Sequence, residues 1–182
     1  SDGEDTGITY TLSDDGKLVI SGTGSIADDA FAGNTKITSV VISEGVTGIG
    51  SRAFTGCTNL TSVTIPEGVT TIDGMTFGNC TSLTSVTIPG TVTSIEVQAF
   101  WNCSSLTSIT IPASVTSIGS GVFQGCTSLT SVKLSEGLTR IGDQTFGRCN
   151  ALETIEIPAS LTSIGNDAFK NCAKLRSPLL CK

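Results

Sequence analysis

The stretch LTSVTIPEGVTTIDGMTFGNC, Leu60 to Cys80, decides the fold, because its pattern returns along the chain in fixed phase. All seven phenylalanines, Phe31, Phe54, Phe77, Phe100, Phe123, Phe146 and Phe169, stand 23 residues apart. Six of the seven cysteines, Cys57, Cys80, Cys103, Cys126, Cys149 and Cys172, keep the same step. A self-similar period of this size marks a solenoid in which each repeat is one rung of a stack. The period runs unbroken from Phe31 to Phe169, which leaves no room for an internal domain boundary.

Within the rung, Leu60, Val63 and Ile65 are spaced LxxLxL with Ser and Thr between them, and the columns recur as Leu83, Val86, Ile88 and Leu106, Ile109, Ile111. A β-branched run of this kind fits a short strand whose alternate side chains point into the core. Every rung runs the same way, so these strands stack as a parallel sheet. Pro66, Pro89, Pro112 and Pro158 follow the strand and end it, since proline offers no N–H to a ladder. Val69 and Ile72, three apart, also recur, and that spacing fits either a bent second strand or a turn. Phe, Cys and the next Leu, again three apart, suit a short 3₁₀ turn or a single helical turn.

Upstream, Ile8 to Ser21 reads ITYTLSDDGKLVIS: two alternating segments around a turn sequence, hence a β-hairpin. A solenoid's first rung needs its apolar end covered, so an atypical first unit is expected as a cap. The expected organisation is a hairpin cap over 1–25, a solenoid of six to seven rungs over 26–177 and a short tail over 178–182. Asn34 in the cysteine column and Pro178 in a strand column mark the first and last rungs as irregular. Beyond Pro178, Leu179 and Leu180 are read either as a minimal lid or as the start of a chain that continues, with end-to-end self-association as a third route, and Ile155, Ile157, Leu161 and Ile164 as a partly open apolar edge.

Charged residues make up 14% of the 182, and the net charge is -6. That balance argues against a nucleic-acid partner, which needs clustered Lys and Arg. Residues 1–52 hold eight acids and three bases, whereas 133–182 hold five acids and seven bases. No run of about 18 apolar residues exists to span a membrane. There is no histidine, which removes Ser-His-Asp and Cys-His catalysis and the commonest zinc ligand together. No enzyme, cofactor or metal is therefore expected, and the Glu153 and Glu156 carboxylates are read as part of a solvated face. The in-phase cysteines lie in an apolar column and are read as buried free thiols, with the off-phase Cys181 as the reactive one.

The segment Leu106 to Leu129 follows LxxVxIPxxVxxIxxxAFxxCxxL, with Ile109 and Val122 as its two variants. This pattern resembles the BspA-like leucine-rich repeats of bacterial surface proteins and some parasitic protozoa, and it covers residues 26–177. The opening hairpin with its DDG turn is similar to the cap these proteins carry. The resemblance implies a mainly β, curved, right-handed leucine-rich-repeat solenoid with a parallel sheet on its concave face. It also implies a secreted or cell-surface location and a role in protein binding or adhesion.

Outward strand positions form two polar columns: Ser39, Ser62, Ser85, Ser108, Ser131 and Thr154 beside Val41, Thr64, Thr87, Thr110, Lys133 and Glu156. Thr64, Thr87, Thr110, Lys133 and Glu156 are the candidate partner-binding residues of this face. A threonine array also resembles ice-binding or glycan-binding surfaces, but Lys133 and Glu156 interrupt it. Trp101, the single tryptophan, stands in a variable, solvent-facing column. With Met75 and Val97 it is read either as an apolar contact patch, Gly78 leaving room for the indole, or as a lone aromatic folded onto its neighbours. A spacer or stalk role for the array is the alternative function. The basic C-terminal end, with Lys170, Lys174, Arg176 and Lys182, predicts a mostly monomeric protein with weak self-association through that edge.

Overall fold

The computed structural model describes residues 7–176. Strands β1 (Ile8–Leu12) and β2 (Lys17–Gly22) form the antiparallel hairpin, and β3 (Gly24–Ile26) follows it. Each later rung contributes a front strand and a second strand. These are β4 (Ser39–Ile42) and β5 (Val46–Ile49), β6 (Ser62–Thr64) and β7 (Thr71–Ile72), β8 (Ser85–Thr87) and β9 (Ser94–Ile95). The series continues with β10 (Ser108–Thr110) and β11 (Ser117–Ile118), β12 (Ser131–Lys133) and β13 (Arg140–Ile141), β14 (Thr154–Ile155) and β15 (Ser163–Ile164). The result is a mainly β solenoid without helices among the described residues. The Val69/Ile72 column is thus a true second strand, with Ile72, Ile95, Ile118 and Ile141 facing inward.

The hairpin covers the first rung and also belongs to the stack. β2 pairs in parallel with β4, Leu18 opposite Val40 and Ile20 opposite Ile42, and β3 pairs with β5. Its turn seats against the next rung: Gly16 O accepts from Thr38 N at 2.8 Å, and Thr38 Oγ1 donates to Asp15 O at 3.0 Å. A Cβ at Gly16, whose φ is +89°, would run into Lys36 O and Thr38, so glycine is required there. Tyr10 lies edge-on to Phe31 at 5.0 Å, closing the near end of the phenylalanine column.

From Phe31 to Phe169 the rings are stacked with centroids 5.4–5.6 Å apart and planes within 15° of parallel. A rung spacing of about 4.8 Å makes these offset stacks, the favoured arrangement for parallel rings. Beside them each thiol donates to the Phe carbonyl of the preceding rung, as in Cys80 Sγ to Phe54 O at 3.2 Å and Cys103 Sγ to Phe77 O at 3.2 Å. The cysteine column is therefore both a filler and a weak hydrogen-bonded ladder.

The Phe–Cys segments, expected as 3₁₀ or helical turns, do carry i→i−3 bonds: Ala53 N to Gly50 O, Thr55 N to Arg52 O, and Cys57 N to Phe54 O. They are not a continuous helix, because the alternate amides point out to the next rung: Arg52 N to Gly74 O, Phe54 N to Thr76 O and Gly56 N to Gly78 O. The segment is a run of β-turns that forms a third parallel ladder along the stack. This geometry demands left-handed backbone two residues before and two after each Phe. All fourteen such positions have φ between +56° and +78°, from Asp29 and Gly33 through Met75 and Asn79 to Asp167 and Asn171.

The front ladder is interrupted once. β1, β2, β4, β6 and β8 form one sheet and β10, β12 and β14 another, with no pairing between β8 and β10. Thr61 N and Thr84 N each donate to the threonine carbonyl one rung before, at 3.0 and 2.9 Å, and Thr130 N does the same, but Thr107 N does not. The second-strand ladder and the turn ladder both continue across this seam. At the far end, Ile157 and Leu161 are half-buried and Ile164 is 36% exposed, as an open edge predicts. Ile155, expected in that edge, is buried instead, because the chain returns over β14 and Arg176 N bonds Glu153 O at 2.9 Å. Pro178, Leu179, Leu180, Cys181 and Lys182 lie outside the described residues.

Candidate binding faces

The structure separates the candidate residues onto two faces. Thr64 lies opposite Thr87 in the β6–β8 pair, and Thr110 opposite Lys133 in the β10–β12 pair, while Glu156 stands one residue past β14. All five are exposed. The seam divides the first pair from the second, so the array is two short registers and not one continuous lattice.

Two kinds of hydroxyl column coexist on this side. The threonines immediately before the strands donate into the backbone, Thr61 Oγ1 to Thr38 O at 3.0 Å, Thr84 Oγ1 to Thr61 O at 3.1 Å and Thr130 Oγ1 to Thr107 O at 3.1 Å. A matching set immediately precedes the second strands, with Thr139 Oγ1 donating to Thr116 O and Thr162 Oγ1 to Thr139 O. These threonines reinforce the ladders, a role that sequence reading missed, since a solvated and a bonded threonine look alike in a repeat. By contrast, the side chains of Thr64, Thr87, Thr110, Lys133 and Glu156 make no hydrogen bond or ion pair among the described residues. Their polar groups all point to solvent. Around Lys133 and Glu156 the face sinks into an open groove of about 510 Å³, also lined by Ser131, Glu136, Thr154 and Ala159.

The second face is the outer side of the turn ladder. Met75 and Val97 are brought together there, Met75 N donating to Val97 O at 3.0 Å, and Val97 is 49% exposed. Trp101 and Met75 are half-buried. The space at Gly78, expected to admit the indole, is taken by Met75: a Cβ on Gly78 would stand 2.7 Å from the Met75 methyl carbon and 3.2 Å from its sulfur. A left-handed Met75 directs its thioether back across its own turn, which no residue count reveals.

Electrostatics on both faces are mild. At the N-terminal end Arg52 Nε bonds Asp29 Oδ1 at 2.9 Å, which lowers the Asp29 pKa, while burial and the neighbouring Asp28 and Glu96 raise that of Asp73. The thiols stand apart: burial pushes Cys57 up to about 11 and Cys126 up to about 12, and raises Cys80, Cys103 and Cys149 further. Such groups are neutral and inert at neutral pH. Among the described residues no cluster of Cys, Asp and Glu is placed to hold a metal ion, and no helix is long and apolar enough to cross a membrane.

Stacked 23-residue rungs with an inward LxxLxL strand and a phenylalanine–cysteine turn define a leucine-rich-repeat solenoid. The sequence matches the BspA type leucine rich repeat region in six copies, over residues 24–126 and 49–176, and the chain belongs to that family. Two solved structures are similar to it at high coverage. The T. pallidum leucine rich repeat protein is 28% identical with a TM-score of 0.84, over 98% of this chain and 92% of the other. A leucine rich cell surface protein from Faecalibacterium prausnitzii is 33% identical with a TM-score of 0.78, over 96% of this chain. This chain spans about half of the latter, 53% of its length. No curated protein matches the chain.

Proposed function

We propose that this chain is a non-enzymatic, secreted or cell-surface repeat module that binds a protein partner through its strand face, centred on Thr64, Thr87, Thr110, Lys133 and Glu156. The observation that carries this reading is the contrast between the two hydroxyl columns. One is engaged in the ladders, and the other leaves every donor and acceptor free on a rigid, exposed surface. A preorganised polar surface loses little conformational entropy on docking. The groove at Lys133 and Glu156 supplies a point of charge recognition at the C-terminal half of that surface. The similar cell surface protein from F. prausnitzii supports the location.

The test is a binding screen of the purified domain against extracellular-matrix and serum proteins at physiological salt, followed by Lys133→Glu and Thr87→Trp. Loss of binding in both variants supports the strand face. Uniform absence of binding removes the adhesion reading and leaves the spacer role. Thermal hysteresis in ice-growth assays would reassign the face to ice, against the division of the array at the seam. Self-association is a further part of the proposal. The open edge at Leu161, Ile164 and Phe169 is flanked by Lys170, Lys174 and Arg176, so a dimer grows in with rising salt as repulsion is screened. Sedimentation at two ionic strengths measures it.

A further inference from the structure

Between the charged ends of the turn face lies a zone of a different chemistry. From Gly74 to Gly125 the outward positions of the turns are Met75, Asn79, Val97, Gln98, Trp101, Asn102, Ser120 and Gln124 together with glycines, and the single charge at their border is Glu96, which accepts from Ser94 Oγ at 3.0 Å. The amides there are held by one another. Asn102 Nδ2 donates to Asn79 Oδ1 at 3.3 Å, and Gln124 Nε2 donates to Gln144 Oε1 at 3.2 Å. Each pair uses one donor and one acceptor, which leaves a carbonyl oxygen on the donating partner and an NH₂ group on the accepting one outside the pair, with Asn102 Oδ1 lying over Gly125 and Gln124 Oε1 beside Gly121.

A groove of about 300 Å³ runs beside the second pair, lined by Val97, Gln98, Ser120, Gln124, Asp143 and Gln144. Gly121 opens it. A Cβ at that position would stand 3.1 Å from Gln98 Cγ and 3.2 Å from Gln124 Oε1, and its φ of +64° already favours glycine. Across Gln124 and Gln144 a second hollow carries Arg148 and Lys170. Lys170 lies 3.9 Å from Asp167, and Asp143 Oδ1 accepts from Asn166 N at 2.7 Å, so two of the charges at this border have a partner within the fold. Trp101 holds the same turn position as Gln124 one rung earlier, and Asn102 N bonds Gln124 O at 2.8 Å, so the half-buried Trp101 stands in the rung next to Gln124.

We propose that this zone of the turn face is a binding site for an uncharged oligosaccharide. A sugar ring presents an apolar C–H face and a rim of hydroxyls that both donate and accept. The first matches an indole face, and the second matches amide pairs that keep one donor and one acceptor free. Apolar peptide ligands are disfavoured, because they would desolvate these amides without satisfying them. Anionic ligands are disfavoured by Asp143 on the groove wall. A shallow groove with a few convergent polar groups suits a chain of several sugar units lying across rungs.

Because Trp101 is the single tryptophan, its fluorescence reports on this site alone. The native domain is titrated with maltohexaose, cellohexaose, mannohexaose and N-acetylchitohexaose up to about 10 mM, enough to fill a site of about 1 mM affinity, and with a heparin hexasaccharide for comparison. At least one neutral hexasaccharide is expected to give a saturable emission shift. Trp101→Phe and Gln124→Ala are each expected to weaken binding about tenfold by calorimetry with unchanged thermal melting, while Thr87→Trp on the strand face has no effect. No response to any neutral hexasaccharide, binding of the heparin fragment alone, or a shift that Gln124→Ala leaves intact overturns the assignment. Retained protein binding by the Trp101 variant keeps this result separate from the strand-face reading.

Discussion

Replacing Phe100 with Ala tests the central column. Its ring is fully buried and stacked on both sides, against Phe77 at 5.5 Å and Phe123 at 5.6 Å. Removing a buried aromatic side chain costs about 3–5 kcal/mol, a large share of the roughly 5–15 kcal/mol that holds a domain of ordinary stability together. The loss falls on one rung, yet it cuts the coupling between the rungs before and after it, since each contacts only its neighbours. Urea unfolding followed by circular dichroism is expected to show either two transitions in place of one or no folded baseline. Phe169→Ala is the internal comparison, because that ring is half-buried and has a single described aromatic neighbour, Phe146 at 5.4 Å. It is expected to lower the midpoint modestly and keep one transition. Phe100→Leu refills most of the volume without the stack and is expected to fall between the two. If Phe100→Ala and Phe169→Ala shifted the midpoint equally, a coupled central column would be refuted.

Three further outcomes follow from the geometry. The buried thiols hold their protons in the folded chain but lose them above the ordinary value of 9.0 when unfolded, so their contribution is complete below about pH 9 and is lost as pH rises toward 11 and 12. Each costs about 1.4 kcal/mol per pH unit in that window, and urea melts at about pH 8 and pH 10 are expected to show a steep fall that Cys126→Ala makes shallower; equal midpoints would contradict it. Gly56 has φ +71° and room for a Cβ, the nearest atom being Gly33 Cα at 3.6 Å, so Gly56→Ala is expected to cost the left-handed penalty of about 1–2 kcal/mol, whereas Gln144→Gly is neutral or stabilising in the same melts. At the seam, the Thr107 amide is expected to exchange its hydrogen faster than Thr84 and Thr130, and equal protection by NMR would show that β8 and β10 are bonded after all.

The core was legible because burial repeats. Leu60, Val63, Ile65, Val69, Ile72 and Phe77 are each at most 3% exposed, and burial is what keeps a column of apolar residues uniform from rung to rung while its solvent-facing neighbours vary. The third ladder was harder to read. Two residues after Phe the column is Gly33, Gly56, Asn79, Asn102, Gly125, Arg148 and Asn171, a composition that points to left-handed backbone. Two residues before Phe it is Asp29, Arg52, Met75, Gln98, Gly121, Gln144 and Asp167, which signals nothing, because there the ladder imposes the conformation on whatever residue is present. The amide pairs of the turn face were invisible for the same reason: whether Gln124 reaches Gln144 depends on φ at Gln144 and on the missing side chain at Gly147. The seam leaves no trace in sequence either, since SVT and SIT are alike on both of its sides.

The registers of the ladders have one more consequence. Ser62 lies opposite Ser85, Ser94 opposite Ser117 and Ser131 opposite Thr154, always 23 residues on. Inserting a single residue between two ladders would move one column out of step with the others and turn inward side chains outward in every rung that shares it. Adding or deleting a whole period disturbs no column at all, because the rung on either side meets the same neighbour as before. Length in this molecule is consequently quantised. Over generations such a chain can lengthen or shorten in whole rungs at little thermodynamic cost, while the solvent-facing letters within each rung remain free to drift one at a time.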